Sequence, residues 1–351
     1  MKTIKWVASA LAITAVMTSG ASSSLAENKI VISNWDGYMP ADLPEKFQAE
    51  TGIGVEVALH ATNEEIMGKV VASQGRGYDV LFVSSPFAEA LNKLGLSSAV
   101  DHGQIPNMSN LYAEANDLAY DPGNTFSVPY AWGTTGLCYR ADLVDGEPSS
   151  WNDLLQPADD LKGKITMLAT DRWLMAAGML AKGYSVNETD EAKIAEVKDL
   201  LISAKQNLLA YDDTTFYSKL TSGEASLVHA WDGWCNYGIA ENDQIQYVIP
   251  EEGTDLWVDT MVITEASENK EAAHAFINYV LGAETGKWVA ENILYKVPNQ
   301  AAMAALDASL IESFPNLGLE PAEMMKQEQL RDLGQAQKAY SKAVTEITAS
   351  N

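Results

Sequence analysis

The chain has 351 residues, with 48 acids against 23 lysines and arginines and a formal net charge of -25. Such acidity repels nucleic acid and anionic membrane, so neither is expected as a partner. The same charge steers small cations inward, though weakly in salty media.

Lys2 and Lys5 precede an apolar run from Trp6 to Met17, and small residues lead up to Ser24-Leu25-Ala26. A basic start, a short apolar core and small residues at the cleavage positions predict a secretory signal over 1–26. The mature chain is expected to begin at Glu27, soluble outside the inner membrane. The apolar run is too short to span a bilayer, and no later stretch offers about 20 apolar residues in a row. The only two cysteines, Cys138 and Cys235, permit one disulfide in an exported protein, but they fall far apart and in different elements, so two buried thiols are expected. The histidines, His60, His102, His229 and His274, show no metal-ligand spacing.

Lys29 to Ser33 reads as a strand, with the loop Asn34-Trp35-Asp36-Gly37-Tyr38-Met39-Pro40 at its end. A helix (Leu43 to Glu50), a strand (Val55 to Leu59), a helix from Thr62 to about Ser73 and a strand (Asp79 to Val83) follow. This alternation predicts a parallel sheet, whose ligands sit beyond the strand C-termini, where Trp35 and Ser84-Ser85 fall. From Thr125 the chain is extended and punctuated by glycine through Tyr139, which reads as a crossing into a second α/β domain. There Trp151 begins a helix, Lys164 to Leu168 is a strand and Asp171-Arg172-Trp173 opens a helix. A helix over Glu191 to Leu209 and a strand over Ser226 to Ala230, running into Trp231-Asp232-Gly233-Trp234, come next. The chain recrosses near Gly253. Helices are expected at Ala272 to Val280, Glu284 to Glu291 and Gln327 to Thr348. Two α/β domains joined by such crossings can close on a ligand by hinge motion.

The recrossing strand, Leu256-Trp257-Val258-Asp259-Thr260-Met261-Val262-Ile263, holds the most suggestive pair. Side chains alternate along a strand, so Trp257 and Asp259 point the same way. An indole beside a carboxylate suits a cation, although the pattern also fits a core Trp and a turn Asp. Trp35, Tyr38, Trp173, Trp231, Trp234 and Tyr295 also end strands or sit in loops of both expected domains, which favours a shared aromatic cleft. No GxSxG, HExxH, P-loop or dinucleotide fingerprint is present, so catalysis is not expected. No Tyr-Tyr pair supports an iron receptor.

Several of these pieces occur together, and in order, in one known group of proteins: Asn34-Trp35-x-x-Tyr38, Glu50-Thr51-Gly52-Ile53, Tyr78-Asp79-Val80, Val128-Pro129-Tyr130-Ala131-Trp132-Gly133, Ala230-Trp231-x-Gly233, Trp257-Val258-Asp259, Asn269-Lys270-Glu271-Ala272, and Tyr295 with Pro298-Asn299. The chain resembles the spermidine/putrescine-binding proteins, periplasmic receptors of ABC importers. The resemblance implies an α/β, two-domain periplasmic-binding-protein fold, with the ligand cleft between the domains and hinge crossings. On this reading 27–132 with 256–305 forms the N-terminal domain, and 133–255 with 306–351 the C-terminal one. It also implies a periplasmic monomer without cofactor, whose partners are a small cationic or zwitterionic ligand and an inner-membrane permease. Ligand contacts are implied at Trp35, Tyr38, Ser84, Trp231, Trp257, Asp259 and Tyr295.

The departures are informative. The family has an acid between the Trp and Tyr of the first loop, where this chain has Asp36 and Gly37. It places two acids three residues apart at the mouth of the second domain, where ungapped alignment puts Thr170 and Trp173, with Asp171 nearby. Each buried ammonium needs its own acceptor. One firm carboxylate and an added indole therefore suit a single-headed onium compound of the glycine betaine, choline or dimethylsulfoniopropionate type. A zwitterion would need an anion anchor, for which Arg172, Ser84-Ser85 or a helix N-terminus is available. The alternative is a polyamine site using Asp36, Asp171, Asp232 and Asp259.

Overall fold

The structure, a computed structural model, describes residues 29–350, so the expected signal over 1–26 lies outside the described residues. Among the described residues ten strands build the framework: β1 (Lys29–Asn34), β2 (Gly54–Leu59), β3 (Val80–Ser84), β4 (Val128–Arg140), β5 (Ile165–Met167), β6 (Ala210–Tyr211), β7 (Leu227–Trp231), β8 (Ile245–Val248), β9 (Asp255–Ile263) and β10 (Glu328–Gln329). The main order is β2-β1-β3-β9-β4-β7-β5-β6, with β10 added to β9 and β8 to β4. β1, β2 and β3 are mutually parallel, as the strand–helix alternation predicts, and so are β5, β6 and β7.

The centre is antiparallel. β9 pairs with β3 on one side and β4 on the other. β4 is long and buried over all but its last residue. Its first half, Val128 to Thr134, pairs with β9, and from Thr135 onward it pairs with β7 and β8. The glycines that punctuate it have packing reasons. Gly136 faces Tyr247, and a Cβ there would come within 2.7 Å of the hydroxyl.

Three expectations are corrected. The final helix spans only Gln337–Ala349; the residues before it form β10 and a short 3-10 turn, because Glu328 and Gln329 extend the sheet beside Asp255 and Leu256. The helix from Glu191 ends at Lys205, short of Leu209, since Leu209 N–H bonds Ile165 O and the chain turns into β6. Cys138 and Cys235 are not free thiols but a disulfide. β4 and the helix Asp232–Glu241 pack together and bring the two Cα atoms to 5.9 Å, inside the bridging range. Distance along the chain hid a contact that the sheet makes short.

Candidate functional site

β9 carries the site. Its alternation puts Asp255, Trp257 and Asp259 on one face and Leu256 and Val258 on the other. Asp259 faces Ser84 across the β3–β9 ladder. Its two oxygens accept from Ser84 Oγ (2.6 Å) and Tyr38 Oη (2.7 Å). Asn63 fixes Ser84 twice, donating to its Oγ at 3.0 Å and accepting from its N–H at 2.9 Å. Tyr130 donates to Tyr38 O at 2.6 Å and so holds the first loop. Burial pushes the Asp259 carboxyl up to about 6, while the Ser84 and Tyr38 bonds pull the other way.

An aromatic chain runs past this carboxylate. Trp35 meets Tyr38 edge-on with ring centroids 5.4 Å apart, Tyr38 meets Tyr295 at 5.5 Å, and Tyr295 meets Trp257 at 5.4 Å. Trp35 rests on the buried His60, whose imidazole burial holds neutral at about 4. Trp173 and Trp231 form a second edge-to-face pair at 5.6 Å. The indole N–H groups of Trp173 and Trp257 are buried without a hydrogen-bond partner. Trp35, Tyr38, Tyr295 and Trp257, expected from separate strand ends, thus form one continuous cluster, and Trp173 and Trp231 form a second pair.

Two further carboxylates join them. Asp232 begins the helix after β7 and accepts from Thr134 N (2.9 Å) and Gly233 N (2.7 Å). A Cβ on Gly133 would strike the Trp257 indole and lie 2.5 and 2.6 Å from the Asp232 oxygens, so Asp232 and Trp257 crowd the same bare stretch of β4. Asp255 accepts from Thr135 Oγ1 at 3.1 Å. The Trp173 indole lies toward Asp255 without completing a hydrogen bond. Burial lifts both carboxyls to about 7. Among the described residues, Asp232, Asp255 and Asp259 form no ion pair. Sequence reasoning overlooked Asp255, although its position two residues before Trp257 on the same strand was the signal for it.

The remaining expected residues fall elsewhere. Asp36 is exposed on the loop between Trp35 and Tyr38. The Trp234 side chain packs with Phe216, Tyr217 and Tyr237 rather than with the cage. Arg172 is only 1% exposed and donates to Arg331 O, Val186 O and Asn187 Oδ1, so its terminal nitrogens are committed to protein acceptors and not to an anion anchor. Asp171 stands near Glu64 and Asp213, which the sequence gave no reason to group. Burial raises both the Glu64 and Asp213 carboxyls, and Asp171 adds to the effect at Glu64. No group of metal-binding geometry occurs among the described residues, and none of their helices is long and apolar enough to cross a membrane.

The helix Asp232–Glu241 also grips the segment before Tyr295. Asn236 Nδ2 donates to Leu294 O (2.8 Å) and Tyr237 Oη to Ile293 O (2.9 Å). Asn316 donates to Asn236 Oδ1 and to Asp232 O.

Comparison with known proteins agrees with this architecture. Residues 42–313 match the model for bacterial extracellular solute-binding proteins. The spermidine/putrescine-binding periplasmic protein of Escherichia coli is 30% identical over 327 residues, covering 92% of each chain. The putrescine/cadaverine-binding protein of Pseudomonas aeruginosa is 28% identical over 349 residues, 96% of this chain and 98% of that one. Among solved structures, the spermidine/putrescine ABC transporter substrate-binding protein of Streptococcus pneumoniae superposes with a TM-score of 0.78 at 29% identity, covering 91% of this chain and 98% of that chain. The fold is therefore the mixed α/β periplasmic-binding-protein fold, and the periplasmic location expected from the sequence agrees with relatives that carry that description. The family is one of ABC-importer solute-binding proteins and not of enzymes. With its buried carboxylates set among clustered indoles and phenols, and with its match across nearly the whole length, the chain belongs to the spermidine/putrescine-binding family of bacterial extracellular solute-binding proteins.

Proposed function

We propose that this chain is the receptor of an ABC importer for small organic cations of the polyamine class, bearing two ammonium groups. The observation that carries the reading is the pair of carboxylates Asp232, buried, and Asp259, largely buried, which stand beside the same aromatics and form no ion pair among the described residues. An uncompensated buried charge costs several kcal/mol, so such a pair must be neutralised by protons or by an arriving cation. One ammonium sits against Asp259 between Trp35, Tyr38 and Trp257. The second reaches toward Asp232, beside Trp257 and Tyr295. The relatives named for putrescine and spermidine support this choice over the onium reading.

A second reading keeps the onium compound, and the Trp173–Trp231 pair favours it, since more indole face suits a head with no N–H to donate. Calorimetric titration of the mature protein separates the two. Micromolar binding of putrescine, with glycine betaine, choline and dimethylsulfoniopropionate silent, is expected. Binding confined to the onium set overturns the diamine reading.

We also read the chain as two lobes, 27–132 with 256–305 and 133–255 with 306–351. The change of β4 partners at Thr134–Thr135 supports this division. Closure of the lobes buries the ligand, and the rims of both then meet the permease. X-ray scattering with and without putrescine tests it: an unchanged radius of gyration at saturation speaks against hinged lobes.

A further inference from the structure

The row of carboxylates on β9 is not equally open along its length. Asp255 and Asp259 stand four residues apart on one face, about 13 Å along the strand. The Asp259 end is bounded by the first loop. The Asp255 end is bounded by the start of the helix Asp171–Ala181, where Arg172 and Trp173 both turn inward and are 1% and 4% exposed. Trp173 packs edge-on against Trp231, and Trp231 pairs with Thr135, which in turn donates to Asp255. The Trp173 indole thus lies toward the third carboxylate, its N–H buried without a hydrogen-bond partner. The Arg172 guanidinium, held by Arg331 O, Val186 O and Asn187 Oδ1, has Asp255 as a nearby negative charge. It supplies a resident cation at the end of the row that Trp173 covers.

We propose that Trp173 and Arg172 form a built-in stop, so that the site takes a short diamine and excludes a triamine. This deepens the cationic reading above and rests on it. A four-carbon diamine spans the Asp259 and Asp232 levels. The third ammonium of a longer polyamine must enter the space that the Trp173 ring fills, and it must approach the like charge of the Arg172 guanidinium, held there by Arg331 O, Val186 O and Asn187 Oδ1. Trp173 is then a specificity-determining residue and Arg172 a positioning one: Arg172 ties the helix start to the 186–187 and 331 segments, which holds the indole in place.

The test is calorimetric titration of wild type, Trp173→Ala and Trp173→Phe with putrescine, cadaverine and spermidine, each variant first checked by circular dichroism. Wild type is expected to bind putrescine at least tenfold more tightly than spermidine. Trp173→Ala is expected to narrow that gap by tenfold or more, mainly by gaining spermidine, and Trp173→Phe to fall between. Equal binding of the two amines by wild type overturns the stop and leaves the cationic reading standing. An unchanged preference in Trp173→Phe, together with an unfolded or equally selective Trp173→Ala, also overturns it. Wild type that binds no amine overturns the cationic reading and the stop together.

Discussion

Gly233 lies against the ring of Tyr295, so closely that a Cβ on Gly233 would overlap Cγ, Cδ1 and Cδ2. Gly233 is the second residue of the helix after β7, and Tyr295 sits beyond the helix Ala283–Ile293, so the contact joins two distant parts of the chain. Neither backbone can retreat easily, because Asn236 and Tyr237 already bond the carbonyls of Leu294 and Ile293. Gly233→Ala is therefore expected to weaken putrescine binding by at least tenfold with little loss of helix content, since an overpacked contact costs about 1–3 kcal/mol. Titration beside a circular dichroism spectrum checks it, and wild-type affinity would show that Tyr295 is free to move.

On the proposed reading, Asp259 and Trp257 are the pair on which the cation-binding site depends most. Asp259→Ala and Trp257→Ala should each weaken binding by about an order of magnitude or more. Tyr38→Phe removes only one of the two bonds to the carboxylate and should cost less. Affinities that fail to rank in this way would place the ligand elsewhere.

Acid titration carries a definite sign. Asp259 is raised to about 6, and Asp232 and Asp255 to about 7, mainly by burial. Their folded values lie above the ordinary carboxylate value of about 4. The unliganded protein is therefore helped by these groups below about pH 4, and this help is lost as pH rises through 6 to 7. A dication needs the ionised forms, so putrescine affinity should fall as pH drops from 7.5 to 5.5. The melting shift produced by a fixed putrescine concentration should shrink over the same range. A pH-independent shift would mean that these carboxylates do not meet the ligand.

The disulfide closes a loop between Cys138 and Cys235, 97 residues apart. Such a cross-link contributes about 2–4 kcal/mol in typical proteins. The double variant Cys138→Ser with Cys235→Ser should melt several degrees lower in a scanning calorimeter. An unchanged melting temperature would show that packing of the helix Asp232–Glu241 on β4 suffices alone.

Asn236 touches no cage aromatic through its side chain, yet it bonds both Leu294 O and Asn316. Asn236→Ala should raise the putrescine dissociation constant a few-fold by loosening the segment that carries Tyr295, while the Trp257 environment in the bound state stays the same. Trp fluorescence at saturation, read against affinity, distinguishes this from direct loss of a ligand contact.

Much of this arrangement was legible in the chain. The Trp257–Asp259 pair follows from strand alternation alone, and Trp35, Tyr38 and Tyr295 announced themselves as aromatics at strand ends. Ser84 was placed by the end of β3. What remained hidden depended on the third dimension. Trp234 follows Trp231 closely in sequence, yet a helix begins between them and turns its indole toward Phe216 and Tyr217. Arg172 looked available because it lies beside Trp173, but successive helical residues point about 100° apart, and Arg172 finds carbonyls instead. Asp255 lies just outside the strand as read from sequence, which starts at Leu256, and the pairing of β10 with it brings it into the sheet.

β4 gives its first seven residues to one set of neighbours and the rest to another without a break in the strand. The strand is continuous where the partners change, its register irregularity falling earlier at Pro129–Ala131, so relative motion of the two proposed lobes has to be taken up as twist along it. On the proposed two-lobe reading such an element acts as a torsion spring with a restoring torque, and release of cargo need not wait for a hinge to melt. The stiffness of that spring, set by side chains far from the cage, would then govern how fast the receptor empties.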